Sequence, residues 1–393
     1  MIRDKIEEYG IRQCIDCGKC SWACPVSHRQ NDFSPRTVVE HLLLYDEHLS
    51  SREMWDCVTC GTCSALCNSR VKFHEIMRTI RKLSVERASP MMTHGDTFDL
   101  IARLSSKPYL HPKTSSWLTS DLRISKNSKV LLFVGCTPYL NIIFKHLNID
   151  FLQIPRAAVK LLNAMGIEPN VLESERCCGH DQYWLGDDEL FLQLAELNLK
   201  AIGSSGAEEV IAFCPECYST LKFVYPQFFG PLDFEVKNLT AMMGDAVAGG
   251  ILTLKKDNTL STTFHDPCRL AKHSNIIDEP RKILHSISNF FEMPRSGHTS
   301  VCCGVASWVN CDSWTKYWQL ERIEEARATG AGTLVTACPK CLAHLSCAQY
   351  EKNNYDESYR FDIVDIHVLA ASRMSSNERG KAELQDSKRE KLN

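Results

Sequence analysis

An α/β architecture built twice, behind a smaller and mainly helical α+β segment, is what this 393-residue sequence predicts. Three observations carry that expectation. From Lys129 onward, short apolar runs ending at Gly or Cys alternate with amphipathic helical stretches, the order a mostly parallel sheet requires. The same landmarks then return at an offset of 125 residues. Ahead of them, residues 1–88 hold eight cysteines, and Thr37 to Leu49 among them looks helical and apolar on one face.

Each element follows from local chemistry. Lys129 to Gly135 is a short apolar run ending in Gly, suited to a strand buried on both faces. Pro155 to Met165 reads as a helix with Pro at its first position and Gly166 just past its end. Asp187 to Ile202 places Leu190, Phe191, Leu194, Leu197 and Ile202 on one helical face and is expected to stop at Gly203. Glu209 to Phe213 is a second strand that runs directly into Cys214. Pro155-Arg156 matches Pro280-Arg281, Cys177-Cys178-Gly179 matches Cys302-Cys303-Gly304, and Cys214-Pro215-x-Cys217 matches Cys338-Pro339-x-Cys341, at offsets of 125, 125 and 124. The opening cysteines, Cys136 and Cys268, are offset by 132, a difference in loop length. In the second copy Trp314 to Ala328 supplies the helix, ended by Gly330, and Thr333 to Ala337 the strand. The expected division is residues 1–88, a linker or wrapping segment at 89–128, the two α/β domains at 129–258 and 259–374, and a polar tail at 375–393 read as disordered.

Composition excludes several classes of function. A net charge of −3 exerts no bulk pull toward nucleic acid or an anionic membrane. The apolar stretches Val130 to Val134 and Ile251 to Leu254 fall far short of the ~20 residues that span a bilayer. The opening Met1-Ile2-Arg3-Asp4-Lys5 lacks the features of a signal peptide, so a cytoplasmic location is expected, with any membrane contact made through a partner. Twenty cysteines in a reducing compartment point to metal binding rather than to a disulfide framework.

Cys14-x2-Cys17-x2-Cys20-x3-Cys24-Pro25 matches the bacterial two-cluster ferredoxin run, in which three close cysteines hold one [4Fe-4S] cluster and the fourth reaches the other. Cys57-x2-Cys60-x2-Cys63-x3-Cys67 repeats it, with Asn68 where a Pro is expected. The crossed assignment is Cys14, Cys17, Cys20 and Cys67 on one cluster, and Cys57, Cys60, Cys63 and Cys24 on the other. Structural zinc is the competing reading, but it rarely needs three cysteines in x2-x2 succession.

Two five-cysteine sets remain: Cys136, Cys177, Cys178, Cys214 and Cys217, and Cys268, Cys302, Cys303, Cys338 and Cys341. Taken alone, CPEC at 214–217 and CPKC at 338–341 would suit a thioredoxin-like dithiol at a helix N-terminus, which lowers thiol pKa. Such a site needs neither an upstream Cys-Cys pair nor repetition. The full pattern resembles the CCG domain, and two in tandem are similar to the B-type polypeptide of heterodisulfide reductase. Residues 1–88 resemble its C-type polypeptide, and the fused order resembles the D-type catalytic polypeptide. The segments "FVGCTPYL" (133–140), "CCGHD" (177–181), "FCPECYSTLKFVYP" (213–226) and "FHDPCRLAKHS" (264–274) carry the likeness.

The resemblance implies a noncubane [4Fe-4S] cluster on each five-cysteine set, hence four clusters in all. It also implies a substrate disulfide of the CoM-S-S-CoB type between the two noncubane clusters, each delivering one electron. His180, Asp181, His265 and His273 lie closest in sequence to cluster ligands and are candidate proton donors; helix capping and hydrogen-bond networks are the plainer reading of the histidines. Cys311 and Cys347 belong to no set and read as free buried cysteines. After the second Cys-Cys-Gly, "VASWVNCDSW" stands where D-type enzymes have a glycine-rich stretch, which would reshape the cavity. No flavin or nicotinamide motif occurs, so a multi-subunit complex is expected, with electrons supplied by a flavoprotein like the reductase's A-type component or by a membrane cytochrome. Chains of this architecture also serve as electron-transfer subunits in complexes of the class II benzoyl-CoA reductase type, whose acceptor is not a disulfide. That is the competing function.

Overall fold

The computed structural model describes residues 4, 6–28, 33–44, 51–84, 93–110, 115–353 and 361–374. The tail at 375–393, which the sequence reads as disordered, lies outside the described residues, as does the end of the helix expected at Thr37 to Leu49. The described part of that helix is Pro35–Leu44, and it starts earlier than expected because Pro occupies its first turn.

Two all-parallel sheets organise the rest. In the first, β1 (Val130–Phe133), β2 (Glu209–Ala212) and β3 (Glu235–Asn238) pair in chain order, with Val130 opposite Glu209 and Glu209 opposite Glu235. In the second, β4 (Ser261–His265), β5 (Asn289–Phe290), β6 (Thr333–Thr336) and β7 (Asp362–Asp365) take the order β5-β4-β6-β7. The central strands are buried almost throughout, as expected for parallel strands covered on both faces. The strand expected over Lys129 to Gly135 closes two residues early, because the chain turns at Gly135 with φ +63°.

The long helix of the first copy is Asp188–Ser205, capped by the Asp187 side chain accepting from the Leu190 N–H at 3.1 Å. It passes through Gly203 and stops where Gly206 supplies the left-handed conformation at φ +67°, so the expected stop is corrected by one turn. Its counterpart, Ser313–Ala328, is capped in the same way by Asp312 on Thr315 N at 2.8 Å.

The copies exchange helices. The helix after the last strand of the first copy, Leu239–Ala248, packs on the Pro-Arg helix of the second, Asp278–Ile287. Reciprocally, Ile366–Ser372 packs on Gln153–Ala164 of the first. A Cβ at Gly244 would lie 2.5 Å from Glu279 Cβ, which is why glycine occurs there in mid-helix. The carboxyl ends of β2 and β6 come together, since Cys214 just past β2 reaches Cys338 just past β6.

The segment expected at 89–128 packs against the rest of the chain where it is described. It carries helix Thr97–Ser105, and Thr93 donates from its backbone N and its Oγ1 to the Trp308 carbonyl at 2.8 and 2.7 Å. Phe98 stacks on Trp308 at 3.8 Å between ring centroids, and Trp117 is fully buried. The ferredoxin-like part docks through helix Phe73–Ser84: buried Arg81 donates to the carbonyls of Met54, Cys57 and Trp184, spanning two domains with one guanidinium.

Candidate metal centres

The two N-terminal runs fold into matching loops. Gly18 and Gly61, at φ +74° and +76°, turn the chain between the second and third cysteines, and short helices Lys19–Ala23 and Thr62–Ala65 follow and pack together. Cys24 of the first run lines one cavity with Cys57, Cys60 and Cys63 of the second, the crossed set expected from spacing. On the other side Asn68, next to Cys67, accepts from Lys19 Nζ at 3.1 Å, tying the end of the second run to the loop of the first. The side-chain amide at the departure from Pro thus has a structural use. Thr59 N–H points at Cys57 Sγ at 3.4 Å, a backbone donor for thiolate charge.

Each five-cysteine set converges. Because strands of a parallel sheet all end on the same side, Cys136 and Cys214 leave β1 and β2, and Cys268 and Cys338 leave β4 and β6, at carboxyl edges. In the first set the thiols form a chain of neighbours, Cys136, Cys177, Cys178, Cys217, Cys214. In the second the chain is Cys268, Cys302, Cys303, Cys341, Cys338, with Cys341 Sγ 3.3 Å from Cys303 Sγ. A Cβ at Gly135 would lie 2.8 Å from Cys217 Sγ, so the glycine admits the thiol. The sets also meet one another: Cys214 reaches Cys338, and Cys302 reaches Cys60 of the ferredoxin-like part.

Such a gathering fits iron–sulfur ligation. Five converging sulfurs exceed the four of tetrahedral zinc. Burial pushes the Cys24 thiol up to about 12 and Cys57 to about 11, so these thiols ionise only with positive charge beside them, which cluster iron supplies.

Between the sets lies a buried polar network. Lys340 Nζ sits 2.6 and 2.7 Å from the two carboxylate oxygens of Asp181 and 2.6 Å from Glu216 Oε2. His180 Nδ1 is 3.0 Å from Asp181 Oδ1, and its Nε2 accepts from Arg269 Nε at 2.9 Å. Arg269 continues to the Thr59 carbonyl at 2.8 Å, Thr59 Oγ1 at 2.9 Å and His273 Nε2 at 2.5 Å. Burial would raise the Asp181 carboxyl, but the Lys340 ammonium outweighs it and holds it well below the usual range. Burial raises Glu216 and lowers His180.

Of the candidate proton donors, His180, Asp181 and His273 therefore come together. His265 stands apart, beside Cys303 and Cys341. Asp181 holds Lys340 through both of its carboxylate oxygens. Sequence reasoning missed Glu216, Lys340, Arg269 and Thr59. A signal existed: opposite charges occupy the same variable position of CPEC and CPKC. Cys347 is buried as expected, whereas Cys311, just before the N-cap Asp312 of helix Ser313–Ala328, is only partly buried. Trp308, from the bulky stretch after the second Cys-Cys-Gly, is buried, and Lys340 Nζ lies 5.5 Å from its ring centroid. A cleft of about 820 Å³ opens where the three domains meet, lined by Cys67, His74, Trp184, Ser219, Lys272 and His273 among others.

Residues 10–71 match a 4Fe-4S dicluster domain, and residues 130–222 and 262–346 match the CCG cysteine-rich domain. The chain is an iron–sulfur protein with paired CCG domains, homologous to the D-type polypeptide of heterodisulfide reductase. It is 27% identical to the D-type polypeptide of the dihydromethanophenazine:CoB–CoM heterodisulfide reductase of Methanosarcina barkeri, over 91% of this chain and 92% of that one. It is also 24% identical to an EtfAB:quinone oxidoreductase of Syntrophomonas wolfei, over 92% of this chain and 59% of the relative. The B-type polypeptide of a fumarate reductase (CoM/CoB) of Methanothermobacter marburgensis is 24% identical over 94% of this chain and 75% of the relative. Each of these relatives is named as a reductase or an oxidoreductase. Among the described residues no helix is long and apolar enough to cross a membrane.

Proposed function

We propose that this CCG-domain protein is the subunit of a redox complex that passes electrons singly through two cubane [4Fe-4S] clusters to two noncubane ones, where a disulfide of the CoM-S-S-CoB type takes up two electrons and two protons to become two thiols. The cubane ligands are Cys14, Cys17, Cys20 and Cys67, and Cys57, Cys60, Cys63 and Cys24; the noncubane ligands are the two five-cysteine sets. When bound, these centres supply one-electron storage and transfer. The observation that carries this reading is the unbroken line of sulfur from Cys60 to Cys302 and on through Cys338 to Cys214.

The chain's own groups divide the remaining work. Lys340 faces the Cys214 and Cys136 thiols and offers positive charge where two thiolates develop. Asp181 and Glu216 hold that ammonium in place. His180, whose Nε2 accepts from Arg269, keeps its proton on Nδ1 toward Asp181 and Glu216. His273 links this network to the cleft, the route by which protons enter. Electrons enter where Cys17, the exposed cysteine of the ferredoxin-like part, is flanked by exposed Ile15 and Trp22. The donor docking there is a flavoprotein or a membrane cytochrome, which also provides any membrane contact for a chain otherwise in the cytoplasm.

One observation favours a second reading, an electron-transfer subunit whose acceptor is not a disulfide: Trp308 fills space beside Lys340. Iron analysis of anaerobically purified protein should give about sixteen Fe per chain, four clusters of four. Such protein, assayed with reduced viologen and a panel of disulfides, should release thiols. Full iron without turnover rejects the first reading in favour of the second.

A further inference from the structure

We propose that His265 sets the reduction potential of the second five-cysteine centre above that of the first, an inference that rests on the cluster reading above. The duplication supplies the contrast. Counting three residues back from the opening cysteine, β4 ends in His265 and β1 ends in Phe133. One copy therefore places an imidazole beside its cysteines where the other places a hydrocarbon ring.

The proton on that imidazole is assigned by its neighbour. Arg322, fully buried, directs its Nε at His265 Nδ1 at 3.3 Å, and a guanidinium can only donate. Nδ1 is thus the acceptor and Nε2 carries the hydrogen. His265 has no exposed surface, and Nε2 has no nitrogen or oxygen partner among the described residues. A buried N–H left without a partner costs about 1–3 kcal/mol, and native structures rarely leave one so. What lies beside it is sulfur: a ring nitrogen of His265, Cys303 Sγ and Cys341 Sγ all fall within 4.8 Å of one another. His344 flanks Cys303 as well, where the first copy has Thr220.

An N–H donated to cluster sulfur stabilises the more negative, reduced state, and a low-dielectric site strengthens that effect. The second centre, next to Cys60, would then accept and hold the first electron, so that the first centre is charged only by the second. Phe133 offers the first centre no such donor.

The test is an anaerobic potentiometric titration, followed by EPR, of iron-replete wild-type protein and of His265→Phe, His265→Gln and Phe133→His. In His265→Phe one noncubane signal should move by about tenfold in its reduced-to-oxidised ratio at fixed poise, about 59 mV for a one-electron couple, toward the oxidised form. The other noncubane signal and both cubane signals should stay in place. His265→Gln, which keeps a donor, should restore part of the shift, and Phe133→His should move the other noncubane signal toward reduction. Unmoved midpoints in His265→Phe and Phe133→His overturn the proposal. If His265→Phe does not load iron, Phe133→His decides alone. Wild-type protein without noncubane signals would instead overturn the cluster reading.

Discussion

The two CCG domains carry the same five cysteines on the same elements, yet the residues around those cysteines differ in kind. The first copy contributes the acid–base set His180, Asp181 and Glu216. The second has Val305, Ala306 and Lys340 at those positions, and it adds Arg269 where the first has Thr137. Neither half is balanced alone: Lys340 would be a buried cation without anions, and Asp181 and Glu216 buried anions without a cation. Across the interface the one ammonium lies 2.6 to 2.7 Å from both carboxylates. The five thiols recur on the same elements of both copies, while the variable positions between them form complementary partners across the interface.

Breaking that complementarity should have the largest effect. Lys340→Met leaves two carboxylates buried without their cation and should cost about 3–5 kcal/mol, read as a lower urea midpoint of the iron-replete protein. Adding Asp181→Asn and Glu216→Gln should recover most of the loss, since an uncharged trio no longer needs an ammonium.

A second contrast lies in how each copy receives the ferredoxin-like part. A Cβ on Gly186 of the first copy, at φ +84°, would lie 2.4 Å from the backbone N of Lys82, whereas a Cβ on Gly61 would meet a side chain of the second copy, His273 Nε2 at 2.9 Å. Backbone cannot swing aside. Gly186→Ala should therefore cost about 1–3 kcal/mol by overpacking and raise proteolysis of the 1–88 region, with Gly61→Ala milder.

Smaller still is the contrast in how the Cys-Cys turns are held. Asn198 donates to the Cys177 carbonyl at 3.0 Å, and Gln319, from a different position on the equivalent helix, donates to the Cys303 carbonyl at 2.8 Å. Asn198→Ala should cost about 1–2 kcal/mol, the penalty of an unsatisfied buried carbonyl, by thermal unfolding, and Gln319→Ala less, because His344 Nδ1 also lies 2.9 Å from the Cys303 carbonyl; equal losses would show that His344 does not stand in for Gln319.

The pH profile should divide the copies by sign. Burial lowers His180, and Asp181 is also held low, so the folded state binds fewer protons than the unfolded chain on the acid side. Stability should then be present above the unfolded pKa values and fall by up to about 1.4 kcal/mol per pH unit per group on acidification. His344 runs the other way. Burial opposes its charge, but the Cys303 and Cys311 thiols outweigh burial and raise it to about 9. In iron-free protein its stabilisation is complete below about 6.5 and is lost as pH rises through about 9. Urea midpoints from pH 5 to 9 should flatten on the acid side in His180→Gln and on the alkaline side in His344→Gln.

The sequence by itself determined the cysteine sets, the duplication and the strand–helix order, because x2 spacings, Pro-Arg starts and glycine stops are local and repeat. It also placed His180, Asp181 and His273 near the cysteine sets, since proximity in sequence to a cysteine becomes proximity in space. Only the tertiary structure decided which charges meet. Lys340 and Asp181 are 159 residues apart, Arg269 and Thr59 are 210 apart, and no pattern within either segment encodes the other. Helix exchange and one-sided strand ends bring them together, and a buried charge becomes tolerable only at the point where its partner arrives.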